Sequence, residues 1–188
     1  MRHAAAWFHR FDLDVRELRA YTKAQAHVPA TAVAAREAAF IYLPGGDPGL
    51  IASVLRGSPV GNAIIAAWKD GAVLAGSSAG AMAVCEYVLV RQRFPGNVDR
   101  RPVDGLAVVP HSAVLPHHDT FGSRWFPSAR AALPEATLIG VDERTCALWE
   151  DGAWQCLGPG GVTVYRGTDA PYRYRSGSVI DGIPELTP

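Results

Sequence analysis

The run Ala72-Val-Leu-Ala75-Gly76-Ser77-Ser78-Ala79-Gly80-Ala81 constrains the fold more than any other stretch of the chain. A short apolar segment of strand type feeds directly into the smallest side chains, and helix-prone residues follow. A strand that turns at once into a helix requires tiny flanking residues, because its backbone passes close to its neighbours. Gly76 to Gly80 fits the pattern Gly-x-Ser-x-Gly, with Ser78 at the centre. Such a turn presents a serine oxygen at a helix N-terminus, where free N–H groups and the helix dipole favour developing negative charge. The plain alternative is a Gly/Ser turn in which Ser77 or Ser78 merely caps the helix. Ser77 is the weaker nucleophile candidate, because it lacks glycines two positions before and after it.

The rest of the chain alternates between helix-like and strand-like segments, which predicts an α/β layered fold. Residues 3–10 read as the end of an amphipathic helix, 15–21 as a short strand and 30–38 as an Ala-rich helix. Strands are expected over 40–43, 72–75, 106–109, 113–115, 137–141 and 160–165, and helices over 50–56, 60–69, 79–90 and 126–132. Asp151-Gly152 between two apolar runs signals a hairpin. The Pro-, Gly- and Ser-containing tail after Thr168 is expected on the surface.

Composition narrows the function classes. The 188 residues carry 18 Lys+Arg against 18 Asp+Glu, so an electrostatic nucleic-acid or anionic-membrane binder is not expected. No apolar run reaches the roughly 18–20 residues of a membrane helix, and the start does not read as a secretory signal. Three cysteines without metal-type spacing point to a reducing, cytoplasmic setting rather than to a disulfide framework or a zinc site.

A serine nucleophile needs a base, and a base needs an orienting acid. His117 and His118 follow a predicted strand, on the edge where α/β sheets place ligands. Strand alternation sends one of this pair away from the other, which also argues against a His-His-Asp metal site. Asp142, Glu143 and Asp119 are the candidate acids, and spacing alone does not choose among them. Pro44-Gly45-Gly46-Asp47 ends another strand, and its glycines allow an N–H to turn toward the serine as an oxyanion donor beside that of Ala79.

These residues together resemble peptidase family S51, the dipeptidase E and cyanophycinase group of serine peptidases. Ile41-Tyr-Leu-Pro-Gly-Gly-Asp47 is similar to the family's strand ending in Gly-Gly-Asn/Asp, and Gly76-Ser-Ser-Ala-Gly-Ala81 to its serine elbow. Leu115-Pro-His-His118 resembles its histidine block, and Leu138-Ile-Gly-Val-Asp-Glu143 with Thr145-Cys-Ala147 its cyanophycinase-type acid block. The resemblance implies an α/β class I glutamine-amidotransferase-like fold: one three-layer domain over 1–188 with a mostly parallel sheet. The family's opening strand has no counterpart here; 1–10 would be a shortened first helix and 168–188 a C-terminal tail.

The resemblance further implies Ser78 as nucleophile, His117 (with His118 as rival) as base and Glu143 as orienting acid. Gly46 and Ala79 would form the oxyanion hole, with Arg124, Asp47 and His118 near the substrate. It implies a small peptide substrate, with Asp-X dipeptides leading, no metal or organic cofactor, and a homodimer. Two competing readings are an ammonia-passing amidotransferase, disfavoured because position 78 is Ser rather than Cys, and a non-catalytic binding protein on the same fold.

Overall fold

The computed structural model describes residues 2–92 and 99–187. Helix α1 (Arg2–Phe8) opens the chain, and α2 (Lys23–Ala26) and α3 (Pro29–Arg36) follow. Thr22 starts α2 with a reciprocal capping box to Gln25, and Pro29 sits where a helix tolerates proline. The strand expected over 15–21 does not form. Leu18 and Ala20 lie partly buried on the core, but the interleaved Arg16, Glu17 and Arg19 have no neighbouring strand to pair with.

Strand β1 (Phe40–Leu43) runs into α4 (Pro48–Leu55), whose first turn is capped by Asp47 accepting from the Leu50 N–H at 3.0 Å. Helix α5 (Pro59–Lys69) begins with Ser58 as cap. A Cβ on Gly61 would lie 1.9 Å from the Leu55 carbonyl oxygen, so the turn between the two helices closes only around glycine. The helices are bent by 89° to one another, and no single helix among the described residues is long and apolar enough to cross a membrane. Strand β2 (Val73–Gly76) then pairs parallel with β1, Leu43 opposite Gly76.

Helix α6 (Ala79–Ala83) is much shorter than the expected 79–90. Tyr87-Val-Leu-Val is a β-branched and aromatic run, and it forms β3 (Tyr87–Arg91), antiparallel to β4 (Arg100–Asp104). The segment 106–109, expected as a strand, is a connection: its N–H groups donate to the carbonyls of Ala83, Val84 and Cys85, Val109 forms an isolated bridge with Cys85, and Leu106 and Val108 are buried in the core.

Strand β5 (Ser112–Pro116) is buried along its length. Helix α7 (Phe126–Ala132) leads to β6 (Thr137–Val141), parallel to β5. A hairpin of β7 (Cys146–Glu150) and β8 (Ala153–Leu157) turns on Asp151 and Gly152. Both turn residues have positive φ, as a two-residue hairpin of this twist requires. Strand β9 (Gly161–Tyr165) lies antiparallel to β6. The tail is not simply surface: β10 (Tyr172–Arg175) pairs with β9, β11 (Val179–Ile180) pairs with β8, and Ile180 and Ile183 are buried.

The class is α/β, with mixed sheets: β1–β2 and β5–β6 are the parallel strand pairs, and the other pairings are antiparallel. One core packs Leu89, Leu115, Leu138 and Val162 around the central strands; a second packs Ile41, Leu43, Val60 and Ile64 beneath β1. Full burial of each such side chain stabilises by about 1.5–3 kcal/mol. The two parallel pairs position the site, because the residues after the carboxyl ends of β1, β2 and β5 border one cleft.

Candidate active site

Ser78 occupies the turn between β2 and α6 with φ 50° and ψ −113°, a backbone conformation side chains rarely adopt. It stands at the cap position of α6, yet its side chain makes no cap hydrogen bond. The turn is possible because its flanks are empty. A Cβ on Gly76 would lie 2.5 Å from the Gly80 backbone, and one on Gly80 would lie 1.9 Å from the Leu43 carbonyl oxygen. Ser77 faces elsewhere, its Oγ accepting from the Tyr42 hydroxyl at 2.6 Å.

His117 follows β5 and also has positive φ, 55°. Its carbonyl oxygen accepts from the N–H groups of Thr120, Phe121 and Gly122 at 3.1, 3.0 and 2.8 Å, and from the Thr120 hydroxyl at 3.1 Å. The imidazole Nε2 lies 2.8 Å from Ser78 Oγ, and Nδ1 lies 2.6 Å from Glu143 Oε1. This pairing fits the tautomer in which Nδ1–H donates to the carboxylate and Nε2 accepts from the serine. Phe121 stacks on the imidazole with centroids 4.8 Å apart.

Glu143 is held by its own backbone: its N–H donates to Asp119 Oδ1 at 3.0 Å, and its carbonyl accepts from the Thr145 hydroxyl at 3.1 Å. Asp119 therefore serves the acid's backbone rather than the imidazole. Asp142 points into the protein, with 1% of its side chain exposed. There it pairs with Arg173 and accepts from the Gly161 N–H at 2.8 Å. Burial pushes its carboxyl up, but the Arg173 guanidinium, the Gly161 N–H and the nearby His118 outweigh that and hold it below the usual range.

His118, expected near substrate or as a rival base, faces away from the serine. Its Nε2 lies 2.9 Å from the Tyr165 hydroxyl and its Nδ1 3.7 Å from Asp142. The ring lies over Gly140, where a Cβ would come within 2.5 Å of it. Burial pushes its pKa down, against the opposing pull of Asp142. The two histidines face apart, but not by strand alternation: β5 ends at Pro116, and the positive φ of His117 starts a turn that sends the two rings to different sides.

Arg124, also expected near substrate, is exposed and outside the lining of the cleft, and Arg130 is spent on the carbonyls of Leu133, Pro134, Ala136 and Tyr165. Asp47 borders the cleft, but its side chain caps α4. The cationic residues on the cleft are instead Lys23, Arg56, Arg91, Arg100 and Arg101. Two of them come from β4, a strand that Pro102 conceals in the sequence.

Gly45 and Gly46 border the serine: a Cβ on Gly45 would touch the Ser78 Cβ at 3.4 Å, and Gly46 has φ 151°. As first residue of α6, Ala79 has no intrahelical acceptor for its N–H. Among the described residues neither the Gly46 nor the Ala79 N–H donates to a backbone carbonyl. Among them, too, no group of three His, Cys, Asp or Glu side chains could hold a metal ion.

The model of Peptidase family S51 matches residues 1–156 of the chain. The chain is 35% identical over 135 residues to the cyanophycinase of Trichormus variabilis, covering 69% of this chain and 45% of that protein. It is 31% identical over 138 residues to the cyanophycinase of Synechococcus elongatus, covering 70% of this chain and 43% of that one. It thus spans less than half the length of these curated relatives. A solved peptidase from an acI-B1 actinobacterium superposes with a TM-score of 0.78 at 26% identity, covering 92% of this chain and 71% of that one. A structure from Listeria monocytogenes EGD-e shares the fold at a TM-score of 0.55 and 16% identity, over 89% and 73% of the two chains. With its glycine-framed serine turn and a family match across most of its length, the chain belongs to peptidase family S51.

Proposed function

We propose that the chain is a serine hydrolase that cleaves amide bonds in small peptides, with Ser78 as nucleophile, His117 as base and Glu143 as orienting acid. The observation that carries this reading is the unbroken contact from Ser78 Oγ through both imidazole nitrogens to the Glu143 carboxylate. Ser78 attacks the scissile carbonyl as His117 Nε2 takes its proton; Glu143 holds the Nδ1–H tautomer and stabilises the imidazolium. The Gly46 and Ala79 N–H groups receive the developing oxyanion, and the N-terminal position of Ala79 on α6 favours that charge. His117 then protonates the departing amine. Water, activated by the same imidazole, hydrolyses the acyl-enzyme.

The leading substrates are dipeptides with an N-terminal Asp. The excess of cationic over anionic residues on the cleft supports an acidic acyl residue. The second reading is an amide hydrolase of cyanophycinase type, supported by the names of the relatives and by a cleft of about 1410 Å³, more than a dipeptide fills. A homodimer and a cytoplasmic setting belong to the same proposal, and the free Cys85, Cys146 and Cys156 are consistent with the latter.

The test is a panel of Asp-Leu, Glu-Leu, Ala-Leu and β-Asp-Arg on wild type and Ser78→Ala, with fluorophosphonate labelling of both. Turnover and labelling that vanish in Ser78→Ala support the serine mechanism; labelling that survives removes it. Turnover of another member without Asp-Leu sinks the aspartyl preference.

A further inference from the structure

We infer that Phe121 and Trp125 form the subsite for the residue on the leaving side of the cleaved bond, and that this subsite selects a bulky, uncharged apolar side chain. The inference rests on the serine-hydrolase reading above. In that chemistry the histidine that takes the serine proton returns it to the departing amine, so the leaving residue must lie against His117. The side chain bordering His117 on the cleft is Phe121, stacked on the imidazole at 22° between ring planes and 44% exposed. Trp125 lies 5.7 Å from Phe121, centroid to centroid, and lines the same cleft as Ser78 and His117.

The wall is built before any substrate arrives. The Phe121 N–H is tied to the His117 carbonyl, and 3-10 residues Gly122–Trp125 lead straight into α7. A rigid aromatic pair beside an open cleft gains most by covering apolar surface. Aromatic faces also attract cations, so a basic leaving residue is the competing occupant. The charge already present decides against it. The Arg100 guanidinium sits 4.0 Å from the Trp125 ring centroid, and Lys23, Arg56, Arg91 and Arg101 share the cleft against Asp47 and Asp104. A second cation would enter a like-charged field, whereas Leu or Phe would not.

The experiment fixes the acyl residue as whichever of Asp, Glu or Ala the wild type turns over, and varies the leaving residue among Phe, Leu, Gly and Arg. Values of kcat/KM are measured for wild type, Phe121→Ala, Phe121→Leu and Ser78→Ala. Wild type is expected to favour Phe and Leu over Gly and Arg by about tenfold or more. Phe121→Ala should shrink the Phe-to-Gly ratio about tenfold, and Phe121→Leu, which keeps an apolar side chain, should restore most of it. An equal loss across all leaving residues would reduce Phe121 to a support for His117 and overturn the inference, as would a preference for Arg. Turnover that survives in Ser78→Ala, or is absent throughout, fails the hydrolase reading itself and the inference with it; Ser78-dependent turnover without a leaving-side preference fails the inference alone.

Discussion

Asp119 Oδ1 accepts the backbone N–H of Glu143 at 3.0 Å, which ties the loop after β5 to the loop after β6. The residue two positions after the imidazole thus fixes the backbone of the carboxylate that the imidazole meets. Asp119→Ala is expected to lower kcat about tenfold with little change in KM, because only orientation is lost. Asp119→Asn keeps an acceptor oxygen and should recover most of the rate. In a Glu143→Ala background Asp119→Ala should cost little more. An additive loss in that double variant would disprove action through Glu143.

Glu143→Gln should lower kcat by about 10²–10⁴-fold, because an amide can hold the wrong imidazole tautomer and does not stabilise imidazolium. Glu143 is 46% exposed on its side chain, so its removal should leave thermal stability nearly unchanged. Melting curves beside steady-state rates check both halves. A large fall in Tm with no fall in kcat would contradict the role.

The backbone at Ser78 predicts an exchange of stability against function. Its φ of 50° with ψ of −113° costs about 1–3 kcal/mol for a residue with a Cβ. Ser78→Gly should therefore be inactive yet more stable than Ser78→Ala in urea unfolding, by about 1 kcal/mol after glycine's own entropy cost. Equal midpoints for the two variants would show that the turn is unstrained.

Gly80→Ala tests the close approach of α6 to β1. The added Cβ would lie 1.9 Å from the Leu43 carbonyl oxygen, and backbone cannot yield as a flexible side chain can. A loss of about 2–4 kcal/mol is expected, together with loss of labelling at Ser78 as the turn shifts. Wild-type labelling and stability in this variant would refute the tight contact.

The Asp142–Arg173 pair makes stability depend on acid. Asp142 has a folded pKa below its ordinary value, so its contribution is present above the ordinary carboxylate range and is lost as pH falls toward the folded value. Arg173→Met leaves a buried carboxylate with fewer partners and should destabilise at pH 7 by about 1–3 kcal/mol, the outer end of the pair being partly exposed. The deficit should shrink below about pH 4, where the freed carboxyl is protonated. Denaturant midpoints at pH 7 and pH 3.5 measure it; a deficit independent of pH would assign the loss to packing instead.

The site was more legible in the sequence than the scaffold around it. Gly76 and Gly80 announce a steric requirement local to the turn, so Ser78 stands out. The ends of 113–115 and 137–141 announce a shared edge, but the choice of His117 over His118 and of Glu143 over Asp142 and Asp119 comes from the family resemblance, not from spacing. The split between His117 and His118 arises where the chain leaves β5 after Pro116 into a positive-φ turn, a bend the sequence does not announce, and His118 then meets Gly140 and Tyr165. The short α6 and strand β4 escape a sequence reading for tertiary reasons. The Ala-rich start of 79–90 favours helix locally, but Cys85 bridges Val109 and diverts the chain into β3. Pro102 reads as a breaker, yet β4 tolerates it opposite Leu89. The cationic cleft residues of β4 are hidden along with that strand, and Arg124, expected there from its family-like spacing after the histidines, lies outside the cleft.

Two of the proposed reactive residues, Ser78 and His117, sit on positive-φ backbone at 50° and 55°. Their geometry therefore belongs to two turns rather than to two side chains. Grafting a serine, a histidine and a glutamate onto another sheet edge would reproduce the chemical groups without the bends that aim them. A transplant from this protein would have to carry Gly76–Gly80 and the His117–Gly122 loop whole, together with the strand ends that force each bend.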